Sequence, residues 1–116
     1  MKKLVLVLAL FTPPVFATSF DCNKATTFVE KEICSDSLLG KLDDALSENY
    51  KSMLSSNFGG SIKSLKAEQL KWLSIRNQCK NNKCLIDMYR KRVDETCDYG
   101  VISGVHPACT FSADVE

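Results

Sequence analysis

Six cysteines downstream of a leader-like N-terminus restrict what this 116-residue chain can fold into more than any other feature. Lys2 and Lys3 precede an apolar run from Leu4 to Phe11, and Val15-Phe16-Ala17 places small or tolerated residues where a signal peptidase reads. Cleavage after Ala17 is expected, so residues 1–17 read as a signal peptide and about a hundred residues remain, enough for one small domain. The apolar run is too short for a bilayer, which takes roughly 20 apolar residues, and no later segment approaches that length. Cys22 follows Asp21 and lies beyond the cleavage point, so the lipid anchor of a bacterial lipoprotein is not expected and the mature chain reads as free of the membrane. Its expected location is the periplasm or the medium. There thiols oxidise, and an even set of cysteines in so short a chain reads as a disulfide framework. Zinc is the competing use, but Cys79-x4-Cys84 has no second pair and His106 is the single histidine, so neither a metal site nor another cofactor is expected.

Charge narrows the partner classes. Without Lys2 and Lys3 the chain has 13 basic residues against 14 acidic ones, a balance that gives no general attraction to nucleic acid or anionic membrane. The distribution is uneven: residues 18–50 carry 7 acids and 3 bases, residues 51–92 carry 2 acids and 10 bases, and the remainder carries 5 acids and no base. A basic hairpin balanced by acidic neighbours within one fold accounts for this pattern.

The apolar spacing is helical nearly throughout. Asn23 is positioned to cap a short helix ending near Cys34, with Phe28 and Ile33 buried. Ser35-Asp36-Ser37 then offers N-cap residues for a long helix whose stripe is Leu39, Leu42, Leu46, Tyr50, Met53 and Leu54. Asn57-Phe58-Gly59-Gly60-Ser61 breaks the period with a tight turn and a new cap. A third helix follows, with Ile62, Leu65, Gln69, Trp72, Leu73 and Arg76 on one face, and Lys80-Asn81-Asn82-Lys83 ends it. The fourth begins near Cys84, buries Leu85, Met88, Tyr89 and Val93, and stops before Gly100. From Asp98 the glycines and Pro107 remove any helical period, which predicts an irregular tail with a short extended piece at Val101 and Ile102. The expected fold is all-α: a small disulfide-bonded antiparallel bundle of three main helices with a short N-terminal helix, residues 18–97 forming the helical domain and 98–116 a tethered loop and tail.

Pairing neighbours, Cys22 with Cys34, Cys79 with Cys84 and Cys97 with Cys109, fastens a non-helical segment to a helix end in each case. A bridge closing a loop of about 12 residues contributes on the order of 3 kcal/mol. A crossed pairing of Cys34 with Cys79 or Cys84 stays open, because an up-down-up bundle brings those helix ends together.

A string of polar and aromatic residues exceeds what a plain bundle requires: Asp21-Cys22, Glu30 with Ile33-Cys34, Leu42-Asp43, Tyr50, Gln69-x-x-Trp72-Leu73-x-x-Arg76-Asn77-x-Cys79, and Cys84-Leu85-x-x-x-Tyr89-x-x-Arg92. This string resembles the LprI-like family, small exported bacterial helical proteins named after a mycobacterial lysozyme inhibitor. The similarity covers about residues 20 to 93. It implies a disulfide-bonded α-helical domain and lysozyme inhibition, with a lysozyme or another cell-wall hydrolase as protein partner. The chain departs from the family pattern in its extra C-terminal segment with Cys97 and Cys109, and in lacking the founding member's lipoprotein cysteine.

Read physically, the string is architecture. Trp72 and Arg76 are four apart on one helical face, within reach of a cation–π contact, and Asp43 or Glu30 is expected to pair with Arg76 or Arg92 across helices. Gln69, Tyr89 and Arg92 belong to the same structural set. No catalytic constellation is legible, and an enzyme is not expected.

For the inhibitor implied by the resemblance, the segment Asp98 to Ala108, closed by Cys97 and Cys109, is the expected plug for the enzyme cleft, with Ser103, Gly104 and His106 near its tip. An acidic face of Asp36, Asp43, Asp44 and Glu48 is the alternative contact, suited to steering a cationic lysozyme. Two other readings differ in partner. One is an immunity protein for another wall-directed toxin, and the other an envelope component whose basic stretch from Lys63 to Arg92 meets anionic polymers.

Overall fold

Thr27 starts the first helix by a reciprocal cap. Its side chain accepts from the Glu30 amide at 3.1 Å, while Glu30 Oε1 accepts from the amides of Thr27 at 3.2 Å and Thr26 at 2.9 Å. The computed structural model describes residues 19–56, 61–98 and 109–116. Within them lie α1 (Phe28–Ser35), α2 (Ser37–Ser56), α3 (Ile62–Arg76) and α4 (Asn82–Asp98), with 3₁₀ turns at Cys22–Lys24 and Ser112–Asp114, and no strand.

Local chemistry accounts for each start. Asp36 Oδ1 accepts from the Leu39 amide at 2.9 Å to open α2, Ser61 accepts from the Ser64 amide at 3.0 Å to open α3, and Asn81 accepts from the Cys84 amide at 2.9 Å at the head of α4. The expected cap at Asn23 is corrected. Asp21 instead accepts from the Asn23 amide, forming a 3₁₀ turn, and the helix begins five residues later. Phe28 then falls at the first helical position and is 48% exposed, where burial was expected; Val29 takes the inward place.

The stripes of α2 and α4 assemble as their periods require, whereas Ile62, expected on the inward stripe of α3, is 43% exposed. Ile33, Leu39, Leu42, Leu85, Tyr89 and Val93 are fully buried, each such side chain contributing about 1.5–3 kcal/mol relative to exposure. The closest helix pair is α2 with α4. Asp43 meets Tyr89 and Asn49 meets Val93, so these two helices run parallel, whereas Arg76 meets Tyr89 and Gln69 meets Arg92, so α3 runs antiparallel to α4. The topology is up-down-up, but the α2–α3 hairpin is not its tightest contact. α3 meets α4 chiefly through long side chains, Trp72, Arg76 and Arg92 among them.

Three bridges join neighbours in sequence: Cys22–Cys34, Cys79–Cys84 and Cys97–Cys109. The crossed alternative is not adopted. All six cysteines are paired, which also removes them as thiolate ligands.

Residues 109–116 are more than a tethered tail. Asn49 Nδ2 donates to the carbonyls of Val93 at 3.1 Å and Thr110 at 2.8 Å, while its Oδ1 accepts from the Thr110 amide at 3.0 Å. Asp94 accepts from the Ser112 amide and hydroxyl at 2.7 and 2.9 Å, Arg90 donates to the Ser112 carbonyl at 2.8 Å, and Val115 enters the core. The expected turn at 57–60 and the extended piece at Val101 and Ile102 lie outside the described residues.

Candidate functional site

The polar residues of the family-like string form one internal lock between α2, α3 and α4. Tyr89 is fully buried, and its hydroxyl donates to Asp43 Oδ1 at 2.7 Å while accepting from Arg76 Nη1 at 2.9 Å. Asp43 is 3% exposed, and its other oxygen accepts from the Ser19 amide at 2.6 Å. Asn77 Oδ1 accepts from Arg76 Nε and Nη2 at 3.1 and 2.8 Å, filling much of the guanidinium fork. Trp72 closes the arrangement. Its ring meets Tyr89 edge-on at 5.1 Å and 82°, with the Arg76 guanidinium carbon 6.0 Å from its centroid. Burial is the main cause that raises the Tyr89 phenol far above its ordinary range, reinforced by the Asp43 carboxylate and opposed by Arg76.

The expected direct pairing of Asp43 with Arg76 is therefore corrected: the Tyr89 hydroxyl stands between them. Glu30 takes no part, because its carboxylate is occupied in capping α1, and those backbone hydrogen bonds hold it below the ordinary carboxyl range. Arg92 forms a second lock, donating to Gln69 Oε1 at 3.0 Å and meeting Glu68 and Glu95 at 3.3 Å. Both glutamates are well exposed, so these ion pairs are worth little beyond positioning. Asn49, the tail clasp, is not among the residues the sequence singles out. Its signal was its place at i+7 on the Leu42, Leu46, Met53 stripe, where an amide must find buried partners.

Between α2 and α3 remains a cavity of about 200 Å³ lined by Leu46, Ser47, Tyr50, Gln69, Trp72 and Leu73, with Asp43 and Ser19 at its edge. Asp43 and Gln69 already serve the two locks. The polar groups of the hollow form no general acid–base pair.

The acidic contact face expected on α2 is corrected too. Asp43 is inside, and Asp36 caps α2 while its second oxygen accepts from Asn82 at 3.0 Å. Glu48 remains exposed beside Lys51 at 3.7 Å. Ser103, Gly104 and His106 lie outside the described residues; the ends of their segment are fixed by Cys97 and Cys109, with Cα atoms 5.4 Å apart.

The scaffold defined by these locks coincides with a family model described as "Lysozyme inhibitor LprI", which matches residues 22–96. The chain belongs to the LprI family. That span takes in Asp43, Trp72, Arg76, Tyr89 and Arg92 together with the first two bridges, and it ends just before Cys97. LprI is an inhibitor family rather than an enzymatic one, and it implies a lysozyme-type protein partner. Family and disulfides together suggest an exported protein, and among the described residues no helix is long and apolar enough to cross a membrane. Searches among curated proteins and among solved structures found no match.

Proposed function

We propose that this protein is an exported inhibitor that binds a peptidoglycan-cleaving lysozyme and blocks its substrate cleft. The observation that carries this reading is the LprI match across the helical scaffold. In this reading residues 1–17 are removed as a signal peptide after Ala17, residues 18–97 form the inhibitor scaffold, and the protein acts in the periplasm or outside the cell. Three bridges and two side-chain locks support it physically, because a scaffold already ordered in the free state loses little conformational entropy on binding.

Lysozymes cleave glycosidic bonds with two carboxylic groups set in a cleft. The segment held between Cys97 and Cys109 is the part we assign to that cleft, with Ser103, Gly104 and His106 as its contact residues. Purified mature protein added to lysozymes of several classes, with lysis of cell-wall substrate followed by turbidity, tests the function. Potent inhibition of at least one class is expected; no effect at high molar excess on every class removes the inhibitor reading. Replacing Ser103 and His106 by alanine is expected to weaken inhibition, and unchanged potency eliminates the segment as the plug.

A further inference from the structure

The outward face of α3 has a composition that the internal locks do not explain. Only Leu65 and Arg76 of this helix are buried, with Gln69, Trp72 and Leu73 half-buried on the same side. At 100° per residue the opposite side presents Lys63, Ala67, Leu70 and Ser74 as a stripe, flanked by Lys66 and Lys71. Leu70 is 67% exposed, the most exposed large apolar side chain among the described residues, and the small residues Ala67 and Ser74 on either side leave it standing as a knob. Among the described residues, none of the three lysines has an ion-pair partner. The single acid of α3, Glu68, lies off this stripe and is engaged by Arg92. Lys63, Lys66, Ala67, Leu70, Lys71 and Ser74 are all exposed, so the face forms a basic ridge with Leu70 projecting from it.

We propose that this ridge, Lys63, Lys66, Leu70 and Lys71, is a docking surface for the carboxylate-lined substrate cleft of the hydrolase. The proposal rests on the inhibitor reading and adds a contact surface on the described scaffold. Local charge complementarity selects the occupant: whatever the net charge of the lysozyme, its cleft sets carboxyl groups between walls that bind sugar rings, which cationic rims and one projecting leucine match. Position agrees. With Gln69 opposite Arg92 in the antiparallel α3–α4 pair, the Lys63 end of the ridge lies level with Cys97, where the bridged segment begins.

The test compares mature wild type with Lys63→Glu/Lys66→Glu/Lys71→Glu and with Leu70→Ala. A charge-matched control, Lys24→Glu/Lys31→Glu/Lys51→Glu, changes exposed lysines elsewhere. Against a lysozyme that the wild type inhibits, the ridge variants are expected to raise the half-inhibitory concentration at least about tenfold, and the control less than about threefold. Neutralising the lysozyme's cleft carboxylates to amides is expected to weaken binding of the wild type, a measurement that needs no altered inhibitor. Ridge variants as potent as wild type, or no better distinguished than the control, overturn the ridge while leaving the inhibitor reading intact. Wild type that inhibits no lysozyme removes both. Lysine-dependent binding to phosphatidylglycerol vesicles with unchanged inhibition also overturns it, assigning the face to a membrane surface.

Discussion

Tyr89 and Asp43, 46 positions apart, share a 2.7 Å hydrogen bond in the core, and the same phenol accepts from Arg76. One hydroxyl thus ties three helices together and keeps a buried carboxylate and a buried guanidinium hydrogen-bonded without direct contact. Such an arrangement specifies register more than it adds stability, because every member must be satisfied before the network repays its desolvation.

Tyr89→Phe removes that hydroxyl and leaves Asp43 and Arg76 each short of a partner. A loss of about 1–3 kcal/mol is expected, read from chemical denaturation of the oxidised protein. Retained helicity by circular dichroism with a lower midpoint would match; an unchanged midpoint contradicts the lock.

Alkaline titration tests the same group through linkage. Burial raises the folded Tyr89 phenol above the ordinary value of 10.0, so its stabilising effect is complete below that pH and is lost as pH rises and the unfolded chain ionises. The stability difference between wild type and Tyr89→Phe is expected to stay constant to about pH 10 and to shrink above it. Tyr50 is present in both proteins and cancels in the comparison.

Glu30 titrates at the other end of the scale. Hydrogen bonds from the amides of Thr26 and Thr27 hold it below 4.5, so its cap stabilises the fold above that pH and the contribution is lost as pH falls through the lower folded value. Thermal melts of wild type and Glu30→Gln are expected to differ most near neutral pH and to converge in acid. A difference that does not change between pH 6 and pH 3 speaks against the charged cap.

Asn49→Ala cuts the clasp between α2, α4 and Thr110. Its expected cost is about 1–3 kcal/mol, with faster amide exchange at Thr110 than at core positions of α2. Exchange that stays slow at Thr110 would show that the Cys97–Cys109 bridge alone secures the tail.

Periodicity made the helices legible: the stripes through Leu39, Leu42 and Leu46 and through Leu85, Tyr89 and Val93 became the core that their spacing predicts. Cysteine spacing favoured the three bridges but could not exclude a crossed set, because helix ends that meet in space are not marked in a linear chain. The first cap is ambiguous in the sequence for a similar reason. Asn23 and Thr27 are both good caps, and the reciprocal bond from Glu30 decides between them. The acidic face loses Asp43 because composition does not distinguish a carboxylate turned inward from one facing water.

The sequence by itself determined the all-α class, the four helices of the described residues and the family to which the chain belongs, since these depend on local period, composition and motif spacing. Tertiary structure alone decided that Tyr89 separates Asp43 from Arg76, that Asn49 draws residues 109–116 into the fold, and which face of the basic α3 is left exposed. Those outcomes arise from side chains far apart in sequence competing for the same buried hydrogen-bonding atoms, and that competition is settled only when the helices pack.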